Sequence, residues 1–231
     1  MQVSVIIPAL DEEAFVGETV RCARAAGPAE VIVVDGGSGD RTVAIAEREG
    51  ARILRAERGR ARQQNAGAAM ATGDALLFLH ADTQLPEGAL ARVQAVLSDE
   101  AVALGAFRLG FDRNDWGMRF LVFGADLRMR LFRLPYGDQA LFLRRETFTR
   151  LAGFRDLPAM EDLCLVRRAK RLGRVALVPE RIRTSPRAYD RHGLLRNMLW
   201  NWRAASLFAL GVGPERLAPR GRSGAAPLSG R

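Results

Sequence analysis

Three acidic positions in this chain have the residue type and the surroundings that chemistry requires. Asp35 and Asp82 each follow an apolar run of strand length, and the pair Glu161-Asp162 opens an amphipathic stretch. Open α/β sheets bind ligands at the carboxyl ends of their strands, and a carboxylate there can hold a metal that holds a diphosphate. The sequence leaves a structural alternative open at each position: an Asx turn, a helix cap, or a favourable charge at a helix N-terminus.

The elements that must position these carboxylates alternate between strands and helices. The pattern predicts strands at 2–7, 30–35, 51–55, 73–79, 101–111, 140–143 and 174–178. Helices are expected at 11–26 (with Asp11 as N-cap), 41–50, 61–70, 86–97, 115–132, 145–151 and 161–172. Strand, helix and strand at this spacing are typical of right-handed βαβ units. We therefore predict an α/β fold with a Rossmann-like, mostly parallel central sheet flanked by helices.

The charge and apolar content of the chain limit the kinds of molecule that it can be expected to bind. The 231 residues are 48% apolar and carry a formal charge of +9, almost entirely from arginine, whose planar fork suits phosphates. No nucleic-acid motif accompanies this charge, so no nucleic-acid partner is expected. No apolar run approaches the roughly 20 residues of a membrane helix, and no signal peptide is evident. We expect a cytoplasmic location, with association at the inner membrane face as an open alternative, and free thiols at Cys22 and Cys164.

Two predicted helices have an unusual composition, and the one at 192–210 is also apolar beyond one stripe. Residues 115–132 and 192–210 mix aromatic side chains with arginine, a composition that can face a groove or a membrane interface. We expect ordinary packing against the domain for both and keep the interfacial alternative open. The domain is predicted to cover residues 1–213, with a nucleotide-binding half at about 1–105, an acceptor half at about 106–213, and a flexible basic tail at 214–231.

Five motifs occur together in a characteristic order. They are Val5-Ile6-Ile7-Pro8-Ala9-Leu10-Asp11-Glu12, Val33-Val34-Asp35-Gly36-Gly37-Ser38, Gly73-Asp74 with His80-Ala81-Asp82, Gly137-Asp138-Gln139, and Met160-Glu161-Asp162. Over about residues 2–185 the set resembles the family 2 glycosyltransferases, which have the GT-A fold. The Leu-Phe-Leu-His-Ala-Asp-Thr form, with Gly211-Val212-Gly213-Pro214, resembles a bacterial subgroup labelled arsenosugar-biosynthesis or radical-SAM/selenodomain-associated glycosyltransferases.

The resemblance assigns roles on the donor side. It implies that Asp35 reads the uracil or an equivalent base and that Arg62 meets the base or a phosphate. Gln139 is expected to touch the acceptor or the diphosphate. Other positions in the implied cofactor-binding set are Pro8, Ala9 and Glu12 in the nucleotide pocket, together with His80 and Ala81.

The resemblance also assigns the metal and the base. Asp82 matches the last Asp of the family's metal motif, whose first Asp is replaced by His80, so Asp82 would be the main ligand for Mg²⁺ or Mn²⁺. His80 would contact the ribose or the metal, or pack. Asp162 matches the catalytic base, and Glu161 matches its acidic neighbour.

The implied reaction is metal-dependent, inverting transfer from a UDP- or GDP-sugar to a small-molecule or lipid acceptor. The QxxRW motif of processive members is absent, and Asn201-Trp202-Arg203 does not replace it, so the transfer is expected to be non-processive. A sugar nucleotidyltransferase would need a Gly-rich, basic phosphate-binding loop near the N-terminus. Residues 8–13 are acidic instead, so this class of enzyme is the less favoured alternative. A non-catalytic protein that binds sugar nucleotides or a membrane surface stays open, because the first metal-motif Asp is missing.

Overall fold

The computed structural model describes residues 1–157, 159–187 and 189. The strands are β1 (Val3–Ala9), β2 (Glu30–Asp35), β3 (Arg52–Arg55), β4 (Ala75–Phe78), β5 (Thr83–Gln84), β6 (Val102–Arg108), β7 (Phe142–Arg144), β8 (Arg174–Arg181) and β9 (Arg183–Thr184). The helices are α1 (Val16–Ala25), α2 (Thr42–Arg48), α3 (Arg60–Met70), α4 (Ala89–Leu97), α5 (Trp116–Phe132), α6 (Arg145–Arg150) and α7 (Glu161–Ala169), with a 3₁₀ turn at Gly137–Gln139.

Seven strands form one mixed sheet in the order β3-β2-β1-β4-β7-β6-β8. β1 pairs in parallel with β2 and β4, β6 pairs in parallel with β8, and β7 is antiparallel to both of its neighbours. The carboxyl ends of β1, β2 and β4 therefore meet at one edge of the sheet, which is where ligands bind in such folds. The predicted α/β class with a mostly parallel sheet is confirmed. A small second sheet, β5 with β9, was not expected.

Helices cover both faces of the sheet, which explains why the central strands are apolar on both sides. Along β1, Val5 and Ile7 belong to one core cluster, and Ile6 belongs to the cluster on the other face. Gly67 brings α3 close to the second face, since a Cβ at this position would lie 2.5 Å from Cγ2 of Ile6. The two buried layers fix the strand ends that carry the candidate residues.

One predicted helix start is wrong, and one alternative that the sequence left open fails. Asp11 is not an N-cap: α1 begins at Val16, and the Asp11 carboxylate instead accepts a hydrogen bond from the Gly39 N–H at 2.8 Å. Asp82 does not cap a helix either, because the N-cap of α4 is Gly88. The capping alternative for Asp82 therefore fails.

Helix α5 differs most from its predicted environment. Met118, Ala125 and Met129 face inward, but six large apolar side chains of this helix are exposed. The expectation of ordinary core packing for residues 115–132 is therefore wrong for the outward half of the helix.

Cys22 and Cys164 are free thiols, as predicted. Within the part of the chain that the structure describes, no helix is both long enough and apolar enough to span a bilayer. The predicted helix at 192–210 and the predicted tail at 214–231 lie outside the described residues.

Candidate active site

An arginine lies between two carboxylates beyond the carboxyl end of β4, in the region that we call the crevice because ligands bind there in open α/β sheets. Arg187 Nε donates to Asp82 Oδ2 at 2.8 Å, and the Arg187 guanidinium also donates to Glu12 Oε1 at 2.5 Å. Its guanidinium lies 4.5 Å from the centre of the Phe15 ring. One arginine therefore links the loop after β1 to the loop after β4. Sequence reasoning missed Arg187, since no local motif marks it.

Asp162 lies in the first turn of α7 and is held by two backbone donors. Its Oδ2 accepts from the Gly137 N–H at 2.6 Å, and its Oδ1 accepts from the Leu163 N–H at 2.7 Å. A Cβ built on Gly137 would lie 3.1 Å from Asp162 Oδ2 and 3.4 Å from His80 Nε2. The start of α7 and the end of β4 therefore converge on Gly137.

Replacing Gly137 with alanine should disturb this convergence. In Gly137→Ala the new methyl group must push Asp162 or His80 aside by a few tenths of an ångström. A misplacement of about 1 Å can cost roughly 10²-fold in rate, so this smaller shift should cost less. We expect kcat to fall by about 3- to 10-fold with little change in the unfolding midpoint, measured by steady-state kinetics and thermal melts. Gly124→Ala is the matched control, because a Cβ there meets nothing within 4 Å. Equal activity in the two variants would contradict the crowding argument.

His80 is a neutral imidazole in this crevice. Burial lowers its pKa to about 4, and the nearby positive charges of Arg60 and Arg187 act in the same direction. The charges of Asp82 and Asp162 oppose this change without overcoming it. His80 Nε2 is buried and has no hydrogen-bond partner. A neutral ring with a free nitrogen can accept a hydrogen bond or bind a metal.

Asp138 also lies in this crevice, although its neighbour was the predicted residue. Burial raises the pKa of Asp138 to about 6, and the charges of Asp162 and Asp82 raise it further against the opposing effect of Arg128 and Arg60. Its Oδ1 is buried without a partner. A carboxylate kept at this energetic cost is typical of functional sites.

The polar atoms of the Gln139 side chain are hydrogen-bonded within the protein. Its Nε2 donates to the Phe107 carbonyl at 3.0 Å, and its Oε1 accepts from Arg128 at 2.8 Å and from the Tyr136 N–H at 3.2 Å. The side chain therefore holds the turn that presents Asp138. Its predicted contact with a substrate stays a prediction.

The raised pKa of Asp138 predicts a stability that depends on pH. The folded state favours the protonated form of Asp138, so ionising this side chain lowers the free energy of unfolding. This loss of stability is absent below about pH 4, grows up to about pH 6 and is complete above it. The difference from the ordinary value of 3.8 corresponds to about 3 kcal/mol. In urea titrations with EDTA, Asp138→Asn should be more stable than wild type by up to this amount at pH 7.5, and the gain should disappear near pH 4. Asp156→Asn, at an exposed carboxylate, should show no such trend.

Glu161 is buried and paired. Its Oε1 lies 3.2 Å from a guanidinium nitrogen of Arg60, and burial raises its pKa against the influence of that arginine. Arg60, which sequence reasoning also missed, thus stands at the first turn of α3 next to the carboxylate group of α7. Arg62 instead pairs with Asp156 and Glu57, each at 2.8 Å. Its predicted contact with a base or phosphate stays a prediction.

The remaining predicted donor-side residues lie at the carboxyl ends of the parallel strands or just beyond them. The buried Asp35 carboxylate accepts from the N–H groups of Gly37 and Ser38, so it shapes its own loop in the manner of an Asx turn. The carbonyl of Ala9 accepts from Gln63 Nε2 at 2.8 Å. Pro8 is half-buried beside Ala9, and the Ala81 carbonyl accepts from the Thr19 hydroxyl at 2.8 Å. No contact tests their predicted roles toward a nucleotide.

The donor set suits a metal that arrives with phosphate oxygens. Among residues 1–157, 159–187 and 189, no three His, Cys, Asp or Glu side chains form a complete metal site. Asp82 is joined in the crevice by Asp138 and His80, each with a buried polar atom that has no partner. Mg²⁺ is commonly bound through one or two carboxylates plus substrate phosphates, so these residues fit such an ion.

Comparison with known proteins identifies the class. Residues 4–155 match the model of glycosyl transferase family 2, so this chain belongs to that family, whose members are glycosyltransferases. A PGL/p-HBAD biosynthesis glycosyltransferase of Mycobacterium tuberculosis is 33% identical over 158 residues, covering 63% of this chain. The chain spans about 60% of the length of that relative.

The fold is shared with solved GT-A glycosyltransferases. S. aureus TarS in complex with UDP-GlcNAc superposes with a TM-score of 0.62 at 17% identity, over 80% of this chain and 58% of that one. Glucosyl-3-phosphoglycerate synthase from Mycobacterium tuberculosis, in complex with Mn²⁺, UDP and phosphoglyceric acid, gives 0.56 at 22% identity, over 78% and 69%. At these identities the likeness shows the fold alone.

Proposed function

We propose that this protein transfers a glycosyl group from a UDP- or GDP-sugar to an acceptor hydroxyl, with inversion at the anomeric carbon and one transfer per binding event. The observation that carries the proposal is the placement of Asp162. Two backbone N–H groups fix its carboxylate beside His80, at the same strand end as Asp82. A base at that position and a diphosphate near Asp82 would flank one sugar.

The chemistry follows from these groups. Asp162 accepts the proton of the acceptor hydroxyl as its oxygen attacks the anomeric carbon. The bond from that carbon to the β-phosphate oxygen breaks on the opposite face, and the electron pair leaves with the nucleoside diphosphate. Arg187 and Arg60 supply positive charge near the leaving group. Their ion pairs with Asp82, Glu12 and Glu161 hold both guanidinium groups in this part of the molecule.

Asp82 would hold the divalent ion, Mg²⁺ or Mn²⁺, with Asp138 and His80 next to it. When bound, the ion neutralises charge that develops on the diphosphate. Glu161 does not serve as a base in this scheme, since its carboxylate is occupied by Arg60. Its part is to hold Arg60 close to Asp162.

The acceptor is proposed as a small molecule or a lipid. The names of the mycobacterial relatives and the resemblance to the arsenosugar-labelled subgroup are consistent with a non-polymeric acceptor. The cytoplasmic location and a membrane contact through residues 192–210 remain predictions.

Release of nucleotide from donor sugars tests the proposal. We expect one of UDP-glucose, UDP-galactose, UDP-N-acetylglucosamine and GDP-mannose to be hydrolysed slowly in the presence of Mn²⁺. Early NMR spectra should show the inverted anomer of the released sugar. Binding by thermal shift without release, across the whole panel, would favour the alternative of a non-catalytic sugar-nucleotide-binding protein.

A further inference from the structure

Helix α5 presents a continuous apolar stripe to solvent. Trp116, Phe120, Phe123, Leu127 and Leu131 are 76%, 50%, 63%, 40% and 64% exposed. They recur every three or four residues along the helix, so they lie on one side, and we call them the α5 face. Scattered exposed apolar residues are ordinary, but a contiguous row of five indicates an interaction surface.

The charges along the α5 face are positive, and at its N-terminal end the carboxylate of Asp115 is paired with Arg113. Arg119 and Arg130 are exposed along one flank. At the C-terminal end, Lys170 Nζ donates to the Phe132 carbonyl at 2.8 Å, which brings a further positive charge to the stripe. The only carboxylate within α5, Asp126, is taken by Arg108 and Arg181.

We propose that the α5 face docks on an anionic lipid bilayer. Surface-binding helices bury an apolar stripe at the boundary of headgroup and acyl chain while flanking arginines meet anionic headgroups. This combination of exposed aromatics, flanking arginines and a neutralised carboxylate matches that chemistry. The inference rests on α5 alone and does not require the proposed transferase activity.

Other occupants fit the charges less well. In an antiparallel pair formed by a second copy, the Arg119 and Arg130 flanks would lie on the same side and repel each other. The segment 190–231 of this chain contains seven arginines and two acidic residues, so it offers little to neutralise them. Anionic headgroups meet both the apolar and the cationic requirement.

The same helix connects this surface to the crevice. From the inward side of α5, Arg128 donates to Gln139 Oε1 at 2.8 Å and stacks 3.5 Å from the centre of the Tyr136 ring. These contacts hold the turn that carries Gly137 and Asp138. Docking through α5 would therefore bring the turn of Gly137 and Asp138 toward the membrane surface, where, under the proposed function, a lipid acceptor could present its hydroxyl.

Vesicle sedimentation with the full chain tests the proposal. We expect strong binding to phosphatidylcholine vesicles containing about one-third phosphatidylglycerol, and much weaker binding to pure phosphatidylcholine. Phe120→Ser/Phe123→Ser should weaken binding at least about 100-fold, because two large apolar side chains no longer leave water. Arg119→Gln/Arg130→Gln should weaken it by about 30-fold, with a smaller effect in high salt.

The matched control removes two charges elsewhere. Arg48→Gln/Arg150→Gln, on α2 and α6, should bind vesicles nearly as well as wild type. Binding that is the same for all variants, or the same for both vesicle types, overturns the proposal. So does a lipid-free dimer, seen by sedimentation velocity, that the Phe120→Ser/Phe123→Ser variant dissociates, since a second copy would then be the occupant.

Discussion

Asp162→Asn is expected to lower kcat by about 10² to 10⁴, the range over which general-base assistance accelerates proton transfer. The amide keeps the size of the carboxylate but cannot accept the proton of the acceptor hydroxyl. It also cannot accept from both N–H groups that Asp162 now satisfies, those of Gly137 and Leu163. Single-turnover kinetics with saturating donor would measure the loss directly.

Donor binding separates this role from a structural one. The dissociation constant of UDP with Mn²⁺ should change by less than about threefold in Asp162→Asn, since the base acts on the acceptor. Asp99→Asn provides a matched control, because this exposed carboxylate pairs with Arg174 near the amino ends of β6 and β8, at the opposite edge of the sheet. Full transferase activity in Asp162→Asn would remove Asp162 from the mechanism.

The fold could be predicted from the sequence because its strands are strongly patterned. The runs Val3–Ala9, Glu30–Asp35 and Ala75–Phe78 are apolar on both faces and are separated by helix-length segments. Right-handed parallel crossovers then place their carboxyl ends at one edge. The positions of Asp35 and Asp82 at that edge follow from this regularity alone.

The interior of the crevice could not be predicted in the same way. Arg60 and Arg187 reach Glu161 and Asp82 across 101 and 105 residues of chain, and no local pattern encodes those pairings. The sequence motif does not show which of the neighbours Asp138 and Gln139 faces the site. The 3₁₀ turn decides this, because it directs the Gln139 side chain toward the Phe107 carbonyl. Such assignments require tertiary coordinates.

The outward half of α5 illustrates a different limit. Hydrophobic periodicity identifies a helix at residues 115–132, and Asp115 caps it through the Met118 N–H at 3.0 Å. Periodicity does not say how much of an apolar circumference the domain can cover. Of the apolar side chains of α5, only those of Met118, Ala125 and Met129 are buried in the core. The side of the helix that carries Trp116, Phe120 and Phe123 remains exposed.

Asp82→Ala is expected to abolish the gain in UDP affinity that Mn²⁺ provides. Even the loss of a group supporting a metal ligand typically costs 10- to 100-fold in affinity, and loss of the main ligand should cost no less. Isothermal titration of UDP in Mn²⁺ and in EDTA would give the two dissociation constants. In wild type they should differ strongly, and in Asp82→Ala they should coincide. If Mn²⁺ still strengthened UDP binding in Asp82→Ala, Asp82 would not be the main ligand, and the role would fall to Asp138 or His80.

Arg187→Gln should act in the opposite direction on the same carboxylate. In the free protein Arg187 occupies Asp82 Oδ2, so a metal must displace an ion pair worth about 1 kcal/mol. Removing the guanidinium should raise Mn²⁺ affinity without nucleotide by about fivefold, measured by electron paramagnetic resonance of free Mn²⁺. UDP affinity should fall, because a positive charge near the diphosphate is lost. Weaker Mn²⁺ binding in Arg187→Gln would instead show that Arg187 orients Asp82 for the ion.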